Sequence, residues 1–241
     1  MASKQPRPWI VAPHDPIEQI DDNLWAADGV VPTIPGGSFR RRMSIVRRED
    51  GTLLLHNAVP LDEPGMKRLG ELGRPEILVL PSPFHCIDGH AMRERLGVKT
   101  YCPALSADRV RQVVAVDGHL DALPPDPSVR FVALDGTKIG EGVLLVTSAG
   151  GARVNMLVCD AVFNMPHGRG FWPLLWRVMG FSGEPRCGPV WLKRVVSGRA
   201  ALRASIERLA DTPNLARVIP SHGKIIDREA ASTLRAIAAR L

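Results

Sequence analysis

The chain has 241 residues, of which 45% are hydrophobic and 23% are charged, a balance typical of a globular protein that buries a full core. These proportions exclude intrinsic disorder, collagen-like repetition and a small disulfide-stapled scaffold. The 31 Lys and Arg residues outnumber the 25 Asp and Glu residues, giving a net charge of +6, which mildly favours anionic ligands. The basic residues are scattered and no aromatic platform accompanies them, so we expect no nucleic-acid partner.

In chain order, the pattern predicts an irregular lead-in over residues 1–20, followed by alternating strands and helices. Short apolar or alternating runs predict strands at residues 23–26, 39–48, 52–59, 76–80, 98–102, 131–134, 142–148, 153–162 and 216–219. Apolar residues at helical spacing, with capping signals, predict helices at residues 62–72, 88–96, 107–116, 172–179, 199–211 and 227–241. No linker or repeat divides the chain, so we predict one α+β domain over residues 1–241, with two sheets packed together between outer helices.

Two kinds of strand stand out in this order. The runs at 52–59, 76–80 and 153–160 are almost continuously apolar, as expected for inner strands covered on both faces. The strand at 39–48 is rich in arginine, and we interpret it as a charged edge that discourages pairing with another chain.

Neither a membrane span nor a secretory signal is recognisable. The most apolar helical stretch, residues 171–181, contains Arg177 and is far shorter than the roughly 20 residues of a transmembrane helix. Residues 1–13 lack the apolar segment of a secretory signal. The four cysteines show no CxxC spacing and fit reduced thiols. We therefore expect a cytoplasmic protein with no membrane partner.

Side chains that can bind metals follow three of the predicted strands. His85, Asp88 and His90 follow the strand at 76–80, and Asp160 and His222 stand at the ends of two later strands. Strand ends in layered folds converge on one edge, so these side chains are expected to meet. Imidazole and carboxylate groups suit zinc, iron or manganese.

The order of these elements resembles the metallo-β-lactamase superfamily, a group of metal-dependent hydrolases built as four-layer αββα sandwiches. The histidine motif of that superfamily, HxHxDH, follows a buried strand and opens a helix, as the segment 81–90 does. Asp160 resembles its bridging Asp, and His222 stands in a similar Pro-x-His-Gly context. The segments 53–61 and 99–104 resemble a degenerate branch of the superfamily. The resemblance covers about residues 20–225 and implies the same sandwich fold.

The sequence also departs from the pattern of the superfamily. When His85 and His90 are set on the first and last histidines of the motif, Ile87 and Gly89 stand at its second histidine and its Asp. Asn57 replaces an early Asp, and the segment 135–138 lacks a middle histidine. Two metal ions need more ligands than remain, so the resemblance implies at most one, weakly bound.

The resemblance implies that His85, His90, Asp160 and His222 are the metal ligands, with Asp88 as general base. Simpler interpretations stay open for three of these residues. Asp88 begins a predicted helix and would serve as its N-cap, His90 would then be a surface residue, and His222 would cap the end of a strand.

Two functions follow from these residues. The first is a metal-dependent hydrolase that uses one zinc, iron or manganese ion to cleave a small-molecule ester, amide or phosphoester. The second is a non-catalytic, metal-free protein of the same fold that binds a small ligand or a protein partner. Metal analysis separates the two.

Overall fold

The computed structural model describes residues 7–31 and 39–241. Its strands are β1 (Glu18–Asp21), β2 (Leu24–Val30), β3 (Arg40–Arg47), β4 (Thr52–His56), β5 (Arg74–Val79), β6 (Lys99–Cys102), β7 (Gly118–His119), β8 (Val129–Ala133), β9 (Gly142–Ser148), β10 (Arg153–Asn164) and β11 (Leu215–Gly223). Its helices are α1 (Glu63–Leu72), α2 (Gly89–Leu96), α3 (Ala107–Val110), α4 (Phe171–Val178), α5 (Pro189–Arg194), α6 (Arg199–Ala210) and α7 (Ala230–Ala238).

The strands form two sheets. The first has the order β1-β2-β3-β4-β5-β6-β7, antiparallel up to β4 and parallel from β4 onwards. The second has the order β11-β10-β9-β8, with one parallel pair between β10 and β11. The parallel pairs place the ends of β4, β5, β10 and β11 on one edge of the molecule, where the candidate side chains follow.

Three apolar clusters define four layers. One joins the inner faces of the two sheets, with Leu54 and Val79 from the first and Leu157 and Ile219 from the second. The other two lie outside, between the first sheet and α1, α2 and α3, and between the second sheet and α5, α6 and α7. The predicted αββα sandwich is confirmed.

The three continuous apolar runs are inner strands, as predicted. They correspond to β4, β5 and the first part of β10, and each packs against apolar neighbours on both faces. Because neither face meets water, these strands lack the polar alternation of half-exposed strands.

The arginine-rich strand is not an edge, and that prediction is wrong. It is β3, paired with β2 on one side and β4 on the other. Arg41 and Arg42 are buried, because Arg41 forms an ion pair with Asp88 and Arg42 forms one with Asp28. Paired charges inside the protein look the same in sequence as charges on an exposed edge.

Some element boundaries also differ from the predictions. The lead-in gives way to strand at Glu18, and His14 already bridges to Gly29; residues 1–6 of the lead-in lie outside the described residues. The helix predicted at 107–116 ends at Val110. Within the described residues, no helix is long and apolar enough to cross a membrane.

Candidate metal centre

His85, Asp160 and His222 meet at the edge where the inner strands end. The Nε2 atom of His85 lies 3.1 Å from Asp160 Oδ1 and 3.1 Å from His222 Nε2, and His222 Nε2 lies 3.4 Å from Asp160 Oδ1. All three residues are buried. We call these three side chains the His–Asp–His cluster.

The hydrogen-bond partners of the two imidazoles determine which ring nitrogens carry hydrogen. His222 Nδ1 lies 2.6 Å from the backbone carbonyl of Arg40, which only accepts, so Nδ1 is the donor. His85 Nδ1 lies 3.1 Å from Asn57 Oδ1, and it is again the donor because the Asn57 amide nitrogen is used elsewhere. In the neutral form of each imidazole, the Nε2 atom therefore has a free lone pair, an assignment that rests on these partners.

Asn57 holds this arrangement in place from the end of β4. Its amide nitrogen donates to the Arg42 carbonyl at 3.0 Å and to Ser221 Oγ at 2.7 Å, which directs its oxygen toward His85. Its φ of 71° is in the left-handed region, which asparagine adopts more readily than most residues. This backbone turn directs the side chain into the edge of the sheets.

Aromatic rings fix the plane of the second imidazole. The ring of His222 stacks on Phe163 with centroids 5.0 Å apart and an interplanar angle of 12°, and Phe39 packs at 4.6 Å. The next residue, Gly223, has a φ of 94°, and a Cβ there would lie 2.1 Å from the Asn164 carbonyl oxygen. Only glycine fits at this close approach of β11 to β10.

The charge states in the cluster follow from burial and contact. Burial lowers the pKa of His85, and the attraction of Asp160 only partly opposes this, so the imidazole is neutral near pH 7. Burial raises the pKa of Asp160, but its interactions with His85 and His222 outweigh burial and the net pKa is lowered. The cluster thus presents the neutral imidazole of His85, the imidazole of His222 and one carboxylate.

With hydrogen on each Nδ1, three acceptor atoms lie within 3.4 Å of one another, and a shared cation would stabilise this arrangement. Ligand atoms about 2.0–2.1 Å from a tetrahedral zinc ion lie roughly 3.3–3.4 Å apart by simple geometry, close to the three separations in the cluster. The residues present therefore fit a small divalent cation. The second ring nitrogen of each imidazole is held by an oxygen acceptor, which is the usual environment of histidine ligands.

Two further titratable groups lie close to Asp160. Cys159 lies within 4.8 Å of the ligand atoms of His85 and Asp160, but burial and the charges of Asp160 and Glu141 raise the pKa of its thiol. A neutral thiol is a poor metal ligand. Glu141 accepts hydrogen bonds from the Ala161 amide at 2.8 Å and from Trp191 Nε1 at 2.9 Å. It therefore links β10 next to Asp160 with Trp191, which lines the cavity beside the cluster.

A cavity of about 290 Å³ opens onto the His–Asp–His cluster. All three side chains of the cluster line it, and most of the remaining wall is apolar, with aromatic side chains such as Phe84 and Trp191. Arg41 and Arg194 are the basic side chains in the lining. Arg41 is neutralised by Asp88, whereas Arg194 is exposed at the surface.

The structure brings together three of the five candidate side chains and places the other two differently. Asp88 forms its ion pair with Arg41, so its carboxylate is occupied by that cation and lies outside the cavity lining. It stands at the N-terminus of α2 but makes no capping hydrogen bond, so the alternative as an N-cap is wrong. His90 is half-buried in the first turn of α2 and does not line the cavity.

Sequence reasoning missed the supporting roles of Asn57, Arg41 and Glu141. Asn57 follows a strand end just as His85 does, and that position was an available signal. The pairing of Arg41 with Asp88 links residues 47 positions apart, and no local pattern indicates it.

Comparison with solved structures gives the fold a family name. The chain matches the mono-zinc form of the metallo-β-lactamase FIM-1 from Pseudomonas aeruginosa with a TM-score of 0.62, 13% identity, and coverage of 99% of this chain and 98% of that chain. The metallo-β-lactamase DIM-1 matches with a TM-score of 0.65 and 13% identity, over 93% of this chain and 96% of that chain. The chain has the metallo-β-lactamase fold. A metallo-β-lactamase from Hirschia baltica matches over 93% of this chain and 98% of that chain, with a TM-score of 0.58 and 15% identity.

Sequence comparisons add nothing to the structural match. No family model matches the chain, and no curated protein matches it. The metallo-β-lactamase fold is therefore established by architecture, at identities too low to carry over an activity.

Proposed function

We propose that the protein is a metal-dependent hydrolase with a single metal ion held by His85, Asp160 and His222. The observation that carries this proposal is the set of three acceptor atoms within 3.4 Å of one another, with both imidazoles oriented by acceptors on their far nitrogens. Two nitrogens and one carboxylate oxygen favour zinc, and three protein ligands are the number found in catalytic zinc sites. The FIM-1 structure is that of a mono-zinc form, which is consistent with one ion in this fold.

A zinc ion bound there would supply an acidified water molecule and a polarised carbonyl or phosphoryl oxygen. The chain itself contributes orientation and exclusion of water. Hydrogen bonds from His85 and His222 to fixed acceptors keep their Nε2 lone pairs directed at one point. The apolar cavity wall removes water from the apolar part of a substrate, and Arg194 at its rim suits a negatively charged group. An ester, amide or phosphoester with an apolar part and an anionic part fits this cavity.

Metal analysis of protein purified without chelator tests the proposal directly. We expect about one equivalent of zinc per chain after loading and dialysis, and loss of that equivalent in the His222→Ala variant. His90→Ala is the matched control, because it removes a histidine that the sequence pattern predicts as a ligand and the geometry leaves outside the cluster. Zinc retained by His90→Ala supports the three-residue site, and zinc lost from it restores His90 as a ligand.

Hydrolysis is then measured on the zinc-loaded protein with chromogenic esters, thioesters, phosphoesters and a β-lactam. Turnover that disappears in His222→Ala and persists in His90→Ala supports a hydrolase. No metal under any loading condition would favour the metal-free ligand-binding alternative instead. Two tightly bound equivalents would contradict the single-ion site.

A further inference from the structure

Helix α4 carries an exposed apolar face. Phe171, Leu174 and Val178 are 72%, 57% and 78% exposed, and their spacing of three and four residues places them on one side of the helix. Folded soluble proteins rarely leave a contiguous apolar surface without a binding partner. A helix of eight residues with three such side chains on one face therefore indicates a contact surface.

The opposite face of α4 is anchored beside the His–Asp–His cluster. The ring of Trp176 packs 5.3 Å from Phe39 and 5.9 Å from Phe181. Phe39 in turn lies 4.6 Å from His222. The helix is thus held by aromatic contacts on its inner side, and its outer apolar side chains face solvent at the same end of the molecule as the cavity.

The segment around α4 also carries a net positive charge. Between residues 166 and 198 there is one acidic residue, Glu184, and there are five basic ones, so the segment has a net charge of 5 − 1 = +4 within a chain of +6; the basic residues are Arg169, Arg177, Arg186, Lys193 and Arg194. All of these except Arg186 are exposed. On the helix itself, Arg177 is exposed three residues after Leu174 and so borders the apolar face. Apolar helix faces flanked by basic side chains bind the surface of anionic membranes.

We propose that α4 docks the protein onto an anionic lipid surface, with Phe171, Leu174 and Val178 entering the interface and the surrounding basic side chains contacting headgroups. The charge favours this partner over a second copy of the chain, because a symmetric contact would bring two segments of +4 together. The expectation of no membrane partner considered only spanning segments. Binding to a membrane surface requires only one short helix with an exposed apolar face, and α4 is such a helix.

Sedimentation of the full chain with vesicles tests this docking. Vesicles of phosphatidylcholine mixed with phosphatidylglycerol should bind the protein, and binding should weaken with added salt, whereas vesicles of phosphatidylcholine alone should bind it much less. Leu174→Asp should abolish binding, because it places a charge in the inserted face. Arg177→Ala should weaken binding about fivefold, the effect of one basic residue near the surface, and Arg177→Lys should restore it.

Two matched controls separate docking from general changes in charge or apolarity. Ile10→Asp changes an apolar residue that is 43% exposed. Its neighbour Trp9 lies under the guanidinium of Arg95 at the far end of α2, so this position belongs to a different surface from α4. Arg203→Ala removes an exposed basic residue from α6. Both should bind vesicles like the unaltered chain, and thermal unfolding should show that every variant remains folded.

The proposal is overturned if the unaltered chain fails to bind anionic vesicles, or if Leu174→Asp binds as well as Ile10→Asp does. A dimer in light scattering that Leu174→Asp dissociates, without vesicle binding, would identify a second copy as the partner. The assay needs neither metal nor hydrolysis, so its result is independent of the proposed function.

Discussion

Replacing Asn57 with glycine tests whether the hydrogen-bond partners of the ligands orient them for metal. Glycine adopts the observed φ of 71° without strain, so the variant removes the side chain and keeps the turn. It deletes three buried hydrogen bonds, to His85, Ser221 and the Arg42 carbonyl. At about 1 kcal/mol each, the free energy of unfolding should fall by up to about 3 kcal/mol, and by less where water enters the space.

The effect of Asn57→Gly on metal affinity should be larger than its structural cost alone suggests. Without its acceptor, His85 is free to rotate or change tautomer, and loss of such a partner typically lowers metal affinity about 10–100-fold. Zinc affinity is measured by competition with a chromogenic chelator, and stability by urea unfolding of the metal-free protein. Ser221→Ala is the control, because it removes the two hydrogen bonds of Ser221 Oγ, one from Asn57 and one to the Val158 carbonyl, without touching a ligand. It should lower stability by about 2 kcal/mol with little effect on zinc. Unchanged zinc affinity in a folded Asn57→Gly variant would refute this account of ligand orientation.

Three further predictions concern pH, the join between the sheets and the backbone at the site. Because the net pKa values of His85 and Asp160 are both lowered, protonation of these two ligands should reduce zinc affinity only below about pH 6.5. A steep fall between pH 8 and 7 in a chelator titration would contradict this. Asp21 in the first sheet forms ion pairs with Arg153 and Arg217 in the second. The hydrogen bond from Arg153 lowers the pKa of Asp21. Its contribution to stability is therefore present above about pH 4 and is lost on further acidification. Asp21→Asn should therefore lower the free energy of unfolding by about 1–2 kcal/mol at pH 7, because its Arg153 partner is partly exposed to solvent. It should also reduce the acid dependence of urea unfolding. Gly223→Ala should displace the end of β11 that carries His222 and so weaken zinc binding. An unchanged zinc affinity would show that the backbone shifts to accommodate the added Cβ without moving His222.

The experiments on metal and on lipid address different parts of one edge of the molecule. The cavity lies beneath Phe39, and α4 packs against the same ring. If both proposals hold, an amphiphilic substrate with an anionic group would reach the cavity from the surface on which the protein docks. Hydrolysis of a micellar ester that depends on Leu174 as well as His222 would join the two results.

The sequence by itself determined the layers of the fold. Continuous apolar runs predict β4, β5 and β10 as inner strands because burial on both faces leaves no polar alternation. The helix predicted from residue 62 is capped locally, since Asp62 Oδ1 accepts a hydrogen bond from the Gly65 amide. Strand-end positions likewise indicated that His85, Asp160 and His222 would meet, because the ends of parallel strands share an edge.

Tertiary structure alone decided which polar residues pair with or orient one another around the cluster. Arg41 and Asp88 look like an edge charge and a helix cap in sequence, yet they neutralise each other across 47 residues. Asn57 orients His85 across 28 residues, and the Arg40 carbonyl orients His222 across 182. Periodicity reports only which face of an element is apolar. The partner of a buried polar group depends on which elements pack together and in what register, and those distances arise only when the chain is folded.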